Sequence, residues 1–347
     1  MSDLITRTEG RAGRITLNRP QALNALTYEM ILGIEAAMDR WRDDPEVGLL
    51  LIDAEGERAF CSGGDIAEMY ASGRRGDLDY GRQFWRDEYR INAKIAEYPK
   101  PVVTLLHGFT MGGGVGVGCH ASHRVVCESS RVAMPECSIG LIPDVGGSYL
   151  LAQAPGLVGT YLGLTGDRMD AGDAIYAGFA DHFVPQARWN DLVTRLVETG
   201  DAAVVTDAAE PAPAPRLEAW RAEIDHLFAG DTLTEIATRL DASDSPAAEA
   251  ALKAIPRNAP LAMGCTLRTI TAIRAEPQLR DAFDREFRYT YRAVEQGDFI
   301  EGIRAAIIDR DRTPAWAHAD WRAVPEEDII AMTAPLGAAA LDWENET

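Results

Sequence analysis

The sequence HGFTMGGGVGVGCHASHRVVCESSRVAMPECSIGLIPD, residues 107–144, joins the end of an apolar run to a triple glycine and the carboxylates Glu136 and Asp144. The preceding run, residues 101–106, predicts a buried strand, and residues 112–114 stand where helical spacing begins. The first N–H groups of a helix have no acceptor within that helix, so they favour a developing negative charge nearby. This stretch therefore predicts a strand, a turn and a helix start that can stabilise an oxyanion.

Two of the three carboxylates of this stretch, Glu136 and Asp144, are candidates for acid/base chemistry. Glu136 follows Met134-Pro135, Asp144 follows Ile142-Pro143, and the residues between them are mostly apolar. A carboxylate is costly in apolar surroundings, so acids in such a segment indicate a functional site. If the two share a site, one of them keeps its proton near neutral pH, which is the division of labour that acid/base catalysis uses.

A second glycine loop resembles the first. Residues 60–65, FCSGGD, follow a predicted strand at 47–54, as residues 111–115 follow the strand at 102–106. Two such loops can direct two backbone N–H groups at one carbonyl oxygen. The sequence contains neither GxxxxGK[ST] nor a strict GxGxxG, which argues against nucleotide-binding loops, and Ser62 and Ser138 lie outside any G-x-S-x-G nucleophile motif.

Composition limits the partners of the protein. The chain has 347 residues, 46% of them hydrophobic, and a formal net charge of −20, which argues against nucleic acid and anionic membranes as partners. The five cysteines form no CxxC pair, which predicts reduced thiols and no metal site. No run of 18 apolar residues and no leader-like segment is found, so the expected location is the cytoplasm.

The chain changes character near residue 206. Up to about residue 205, short β-branched runs such as 102–106 and 123–127 alternate with helical stretches at about 27–41 and 80–97, which predicts an α/β core. Residues 206–215, TDAAEPAPAP, indicate a Pro/Ala-rich linker. From residue 216 to 347 the spacing is mostly helical, with apolar Phe299, Ile303 and Ile307 recurring at helical spacing. This region is expected to cover the active site.

Several motifs together resemble one known family. They are LNRPQALNAL (17–26), AFCSGGDI (59–66), TMGGGVG (110–116) and MPE (134–136), and they are similar to those of the crotonase, or enoyl-CoA hydratase/isomerase, superfamily. Glu88-Tyr89, GLIPDVGG (140–147) and the tail DFIEGIRAAIIDRD (298–311) are most similar to the 3-hydroxyisobutyryl-CoA hydrolase branch. The resemblance implies a crotonase-like spiral of ββα units followed by a C-terminal helical region.

The resemblance also assigns residues by position. The two oxyanion N–H donors of the family fall on Gly64 and Gly113. The substrate-contacting positions of the hydrolase branch, with Glu136 and Asp144 as its catalytic acids, fall on Glu88, Gly113, Glu136 and Asp144. The coenzyme A channel would be lined by Ala22, Leu23, Ser62, Asp65 and Ile66. Coenzyme A is part of the substrate, so no separate cofactor is expected, and the basic residues that hold its phosphates are not identified.

One departure from the family bears on the reaction. Hydratases of the family carry a second catalytic Glu three residues after the middle glycine, and here that position is Gly116. The resemblance thus implies hydrolysis of a short 3-hydroxyacyl-CoA thioester, in particular 3-hydroxyisobutyryl-CoA of valine catabolism. The alternatives are an enoyl-CoA hydratase or isomerase and a non-catalytic acyl-CoA-binding protein. A homo-oligomer is left open, since the family commonly forms trimers and the longer tail can cover the trimer surface.

Overall fold

The computed structural model describes residues 2–343, which group by their contacts into two compact units. Unit 1 comprises the residues up to Gly64, Asp87–Ala133 and Arg168–Arg216, and unit 2 comprises Asp65–Arg86, Met134–Asp167 and the residues from Leu217 onward. Each unit draws on several separate segments of the chain. The domain boundaries predicted at residues 205 and 216 stay a prediction.

The strands all belong to unit 1. Within residues 2–343 they are β1 (Leu4–Glu9), β2 (Ala12–Leu17), β3 (Leu49–Ala54), β4 (Ala59–Cys61), β5 (Val102–Leu106), β6 (Phe109–Met111), β7 (His123–Val126), β8 (Arg131–Ala133) and β9 (His182–Phe183). One sheet has the order β1-β2-β3-β5-β7-β9, in which β1 and β2 are antiparallel and the later pairs are parallel. A second, parallel sheet has the order β4-β6-β8.

From β3 to β8, strands of the first and the second sheet alternate along the chain. Each strand of the second sheet follows a strand of the first: β4 follows β3, β6 follows β5, and β8 follows β7. The chain thus passes from one sheet to the other in each repeat, as the predicted spiral of ββα units requires. The predicted α/β fold class is confirmed.

The helices of the described chain surround these sheets in unit 1 and form nearly all of unit 2. They are α1 (Tyr28–Trp41), α2 (Ala67–Arg74), α3 (Asp79–Ala96), α4 (Gly113–Gly118), α5 (Gly147–Gln153), α6 (Val158–Thr165), α7 (Ala171–Tyr176), α8 (Trp189–Thr199), α9 (Ala203–Ala208), α10 (Arg216–Leu227), α11 (Leu233–Asp241), α12 (Pro246–Ala254), α13 (Pro260–Ala275), α14 (Leu279–Gln296), α15 (Phe299–Ile303) and α16 (Glu326–Thr333). The predicted helices at 27–41 and 80–97 correspond to α1 and α3. Among residues 2–343, no helix is long and apolar enough to cross a bilayer.

Each unit has its own apolar core. In unit 1, the β-branched and leucine side chains of β3, β5 and β7 pack against α8 and α9, whose Leu192, Leu196 and Val205 are buried. In unit 2, α13 is buried along most of its length and contacts α5, α6, α14 and α16. Burial of these faces is the main favourable contribution to folding, since each fully buried aliphatic side chain stabilises by about 1.5–3 kcal/mol.

The Pro/Ala-rich stretch is partly structured. Its first residues complete α9, and Glu210 forms a β-bridge with Phe183 in unit 1. The prolines that follow cannot donate to a strand ladder, which limits this edge to a single bridge. At the other end of the chain, Phe299 and Ile303 are buried as their helical spacing predicts, whereas Ile307 is 41% exposed. A π-helical turn at Arg304–Ile308 changes the phase of the helix and turns Ile307 outward.

Gly108 lies in the connection between β5 and β6, where a side chain does not fit. Its φ is +55°, and a Cβ atom there would lie 2.2 Å from the carbonyl oxygen of Arg58. Gly178 has a similar backbone, with φ of +82°, but no atom lies within 4 Å of its Cβ position. The two glycines therefore separate the cost of a left-handed backbone from the cost of a steric clash.

We predict that Gly108→Ala destabilises the protein much more than Gly178→Ala. The left-handed conformation alone costs a residue with a Cβ about 1–2 kcal/mol, and the clash with a backbone oxygen adds about 1–3 kcal/mol at Gly108 only. Urea unfolding of the two variants measures the difference. Equal losses of unfolding free energy would contradict the role given to Gly108.

Candidate active site

Two glycine loops of unit 1 meet at the start of α4. Gly112 precedes the helix with φ of +50°, and Val115 donates the first hydrogen bond of its turn, to the carbonyl of Gly112. The N–H groups of Gly113 and Gly114 precede that bond, so the helix itself provides no acceptor for them. A Cβ atom at Gly113 would lie 3.2 Å from the amide nitrogen of Gly64. The two N–H positions selected from the sequence are thus neighbours.

Glu88 lies against the same point. A Cβ atom at Gly113 would lie only 2.6 Å from Oε1 of Glu88, so the absence of a side chain at position 113 makes room for this carboxyl group. Glu88 is 3% exposed, although it sits on an amphipathic helix whose sequence alone favours a solvated acid. The structure therefore brings together Gly64, Gly113 and Glu88, three of the predicted site residues.

An ion-pair network holds the part of α3 that carries Glu88. Arg90 forms two 2.8 Å hydrogen bonds with Glu35 of α1 and one of 2.6 Å with Asp87, and Tyr28 donates to Asp87 at 2.5 Å. The hydrogen bonds from Arg90 hold the pKa of Glu35 below its ordinary value. Two-point pairing of a guanidinium with a carboxylate fixes geometry as well as charge. This network positions α3, and the sequence pattern did not reveal it.

The predicted coenzyme A residues lie in different units. In unit 1, the N–H of Ser62 donates to the carbonyl of Leu23 at 3.0 Å, so the loop of Ala22 and Leu23 lies beside the first glycine loop. Asn24 holds that loop with bonds to the carbonyls of Glu55 and Ala59. Asp65 and Ile66 belong to unit 2, where they lead into α2.

The acids Glu136 and Asp144 are both in unit 2. Glu136 begins a short 3-10 helix, Glu136–Ile139, and is 5% exposed, while Asp144 is 3% exposed. The expectation that neither carboxyl group is on the solvated surface is confirmed. Their proposed sharing of one proton stays a prediction.

A strained turn follows Asp144. The N–H of Gly147 donates to the carbonyl of Asp144 at 2.7 Å, and both central residues have positive φ, +54° at Val145 and +75° at Gly146. Positive φ at both positions is the signature of a type I′ turn. A β-branched residue rarely adopts it, so Val145 must be held there by its surroundings.

Helix α14 supplies part of that support. Oε2 of Glu286 accepts a 2.8 Å hydrogen bond from the N–H of Gly146, and Oε1 accepts bonds from the N–H and the hydroxyl of Ser148. One turn further along α14, the hydroxyl of Tyr289 donates to the carbonyl of Gly140 at 2.9 Å. Both side chains are fully buried. The segment that carries Asp144 is thus fastened to α14 on both sides of this acid.

Folding changes the protonation of Glu286. Burial, with a further contribution from the charge of Asp144, raises its pKa to about 8, against the opposing effect of the bonds from Ser148 and Gly146. The sequence analysis did not select Glu286. The signal was its place in the apolar stripe of α14, between Phe283 and Phe287, where a carboxylate requires partners.

The cysteine thiols and His107, the other candidate nucleophiles and bases, are buried. All five cysteines lie in the described part of the chain, are buried and form no disulfide. Burial raises the pKa of Cys61, Cys119 and Cys137 to about 12, so these thiols stay protonated. His107 is buried with its ring edge against Trp189, and burial lowers its pKa. Within residues 2–343 no cluster of His, Cys, Asp or Glu could hold a metal ion.

Comparison with known proteins gives consistent matches over nearly the whole chain. The sequence profile of the family described as Enoyl-CoA hydratase/isomerase matches residues 12–333. The mitochondrial 3-hydroxyisobutyryl-CoA hydrolase of Gallus gallus is 36% identical over 97% of this chain and 90% of its own length. The Homo sapiens protein of the same name is also 36% identical, over 98% and 91% of the two chains.

Solved structures with other names are similar as well. An enoyl-CoA hydratase from Rhodobacter sphaeroides superposes with a TM-score of 0.95 and is 56% identical, covering 99% of this chain and 100% of its own. A carnitinyl-CoA dehydratase from Mycobacterium thermoresistibile has a TM-score of 0.94 and 39% identity, covering 99% of both chains. The similar proteins thus share one fold and carry names for different reactions.

We predict that Glu286 makes the protein less stable as pH rises through neutrality. The folded chain holds this proton with a pKa of about 8, against an ordinary value of 4.5, so unfolding releases the proton between these two values. The free energy of unfolding therefore falls as pH rises from about 4.5 to about 8, by up to a few kcal/mol. In Glu286→Gln this titration is absent and the fall is smaller.

Urea unfolding at pH 5, 6, 7 and 8 measures this dependence. Glu295→Gln is the matched control, since it makes the same change at an exposed position of the same helix and is expected to keep the wild-type slope. The same pH slope in Glu286→Gln and the wild type would show that Glu286 does not hold a proton in the folded state.

Proposed function

This chain belongs to the enoyl-CoA hydratase/isomerase family, and from that premise we propose that it hydrolyses the thioester of a short 3-hydroxyacyl-CoA. The substrate proposed is 3-hydroxyisobutyryl-CoA, an intermediate of valine catabolism, which gives 3-hydroxyisobutyrate and free coenzyme A. Relatives that bear the name of this hydrolase match nearly the full length of the chain. Coenzyme A enters as part of the substrate.

The observation that carries the proposal is Gly116. It lies in α4, one turn after Gly113, at the position where family hydratases carry their second catalytic Glu. Addition of water to a conjugated double bond by that route needs two acids, and a glycine has no side chain to supply one. Hydrolysis needs an oxyanion hole and one activated oxygen nucleophile at the carbonyl carbon.

The first proposed step takes place at the thioester carbonyl. The N–H groups of Gly64 and Gly113 would donate to the carbonyl oxygen as it gains negative charge, and the proximity of these two glycines in unit 1 supports that role. Donors of this kind act on the transition state more than on the substrate, so they raise kcat. Removal of one such donor typically costs about 10²–10³ in rate.

Glu136 would provide the nucleophile in one of two ways. As a base it takes a proton from water while the water oxygen bonds to the carbonyl carbon, and the C–S bond then breaks. Alternatively its carboxylate attacks the carbonyl carbon directly, coenzyme A leaves, and water cleaves the resulting anhydride. Both routes consume one water and release one thiol, and both need a Glu136 that is ionised at the start.

Asp144 and Glu88 are the other two acids with a proposed role. Asp144 is proposed to orient the 3-hydroxyl group or the water and to assist proton transfer to the leaving sulfur. Its burial supports a role in chemistry, since buried ionisable groups occur preferentially at functional sites. Glu88, buried beside Gly113, is proposed as a further polar contact near the 3-hydroxyl group.

Hydration of an enoyl-CoA is the second candidate function. It is favoured by the name of the Rhodobacter sphaeroides protein, which is 56% identical to this chain. In that case Asp144 would have to replace the acid that is missing at Gly116. The reaction would add water to the double bond and leave the thioester intact, so no thiol would be released.

We predict that the purified protein releases free thiol from 3-hydroxyisobutyryl-CoA and leaves crotonyl-CoA nearly unchanged. Thiol release is followed with a thiol-reactive dye, and hydration by the loss of enoyl thioester absorbance. A panel of acyl-CoA esters, with and without a 3-hydroxyl group, defines the specificity. Rapid loss of the enoyl absorbance without thiol release would replace hydrolysis by hydration.

We predict that Glu136→Gln and Asp144→Asn each lower kcat by at least about 10²-fold, because both acids act on charges and protons that change in the transition state. KM is expected to change much less. Both substitutions keep the size of the side chain, and thermal unfolding checks that the fold is intact. Turnover near the wild-type rate in both folded variants would remove these acids from the mechanism.

A further inference from the structure

The acid Glu286 is buried in unit 2 and has no part in the proposed chemistry. It projects from α14 toward the turn that follows Asp144, where its two oxygens accept hydrogen bonds from the backbone of Gly146 and from the backbone and hydroxyl of Ser148. The structure places no solvent-exposed surface on this residue, which is 0% exposed. A carboxyl group so far from water is expensive, and its bonds to the Asp144 turn account for its presence.

The turn itself needs external support. Val145 has φ of +54°, a conformation that a β-branched residue adopts only when neighbouring contacts impose it. Gly146 follows with φ of +75°, and its N–H is one of the groups that Glu286 binds. Loss of that bond would free the turn to relax toward ordinary backbone angles. Because Asp144 is the residue directly before Val145, such a relaxation would rotate the Asp144 carboxyl group.

Tyr289 restricts the same segment at its other end. Its hydroxyl donates to the carbonyl of Gly140, and a Cβ atom at Gly140 would lie 2.5 Å from the backbone of Asp298. The segment is therefore closely packed at Gly140 and hydrogen-bonded at Gly146 and Ser148. Asp144 lies between these points, so its direction depends on both. Of these two α14 side chains, Glu286 binds the backbone nearer to Asp144 in the sequence.

Electrostatics adds a direct coupling between the two acids. Burial first, and then the charge of Asp144, raise the pKa of Glu286. A neutral Glu286 adds no negative charge near Asp144, so it does not oppose ionisation of the Asp144 carboxyl group. The hydroxyl of Ser148 and the N–H groups of Gly146 and Ser148 are the other polar groups that act on Glu286.

We propose that Glu286 is a positioning residue that fixes the turn behind Asp144 and thereby sets the direction of the Asp144 carboxyl group for catalysis. This inference rests on the proposed function, because it needs Asp144 to act in the reaction. It adds a determinant of the same site from a helix about 140 residues further along the chain. Misplacement of a reacting group by about 1 Å costs on the order of 10²-fold in rate.

The test compares two substitutions at Glu286 with one matched control. Glu286→Leu removes both acceptor oxygens and keeps the approximate size, while Glu286→Gln keeps one carbonyl oxygen that can serve either Gly146 or Ser148. Glu295→Gln makes the same chemical change at an exposed position of α14. We expect kcat to fall by about 10²-fold in Glu286→Leu, to fall less in Glu286→Gln, and to stay at the wild-type value in Glu295→Gln. KM should change little in all three.

A double-mutant cycle with Asp144→Asn separates positioning from a merely structural role. If Glu286 acts through Asp144, the variant Glu286→Gln/Asp144→Asn has the same kcat as Asp144→Asn alone. Independent effects that multiply would overturn the proposal, as would an unchanged kcat in folded Glu286→Gln. If Glu286→Leu does not fold, the Gln substitution carries the test by itself.

The same experiment distinguishes failure of this inference from failure of the proposed function. The cycle is measured with whichever acyl-CoA of the panel the wild type converts. If the wild type releases no thiol but converts one of the esters by another reaction, the proposed hydrolysis is wrong. The double-mutant cycle can still be measured with that ester. A wild type that releases thiol, combined with multiplying effects of the two substitutions, contradicts only the positioning role.

Discussion

A carboxylate removed from water must either receive hydrogen bonds or keep its proton, and this constraint acts on four buried acids of the two units. Glu88, Glu136, Asp144 and Glu286 are all at most 5% exposed. For Glu286, the turn after Asp144 meets this constraint with two N–H groups and a hydroxyl, and the ion pairs of Arg90 with Glu35 and Asp87 hold the part of α3 that carries Glu88. The structure around these acids is therefore as necessary to the chemistry as the acids themselves.

The glycines near Glu88 allow this carboxyl group and the backbone to approach each other closely. Position 113 has no room for a Cβ atom because Glu88 and the amide of Gly64 come so near to it. Gly116, one turn further along α4, removes a side chain that the two-acid hydration route needs. This short helix of glycines and valines thus contributes one of the two proposed oxyanion N–H groups and lacks the second acid of the hydration route.

The sequence pattern predicted those features that depend on residues close together in the chain. The period of apolar residues located the strands at 102–106 and 123–126 and the helices α1 and α3, and the spacing of the glycines located the start of α4. The role of Glu286 could not be predicted, because its hydrogen-bond partners lie about 140 residues away in the sequence. A helical pattern does not show which donors a buried acid will bind. The network of Arg90 with Glu35 could not be predicted either, because these two residues are also far apart in the sequence. The π-helical turn that exposes Ile307 could not be predicted from apolar spacing, which assumes a regular helix.

The central claim, that the thioester is hydrolysed and that water does not add at carbon 3, is tested most directly by a single turnover of 3-hydroxyisobutyryl-CoA with excess enzyme in H₂¹⁸O. Our account predicts one ¹⁸O atom in the carboxylate of the released acid or in the side chain of Glu136, and unlabelled oxygen in the 3-hydroxyl group. The first location indicates attack on the acyl carbon, and the second indicates opening of an anhydride at Glu136. Label in the 3-hydroxyl group of an intact thioester would contradict hydrolysis and establish reversible hydration instead.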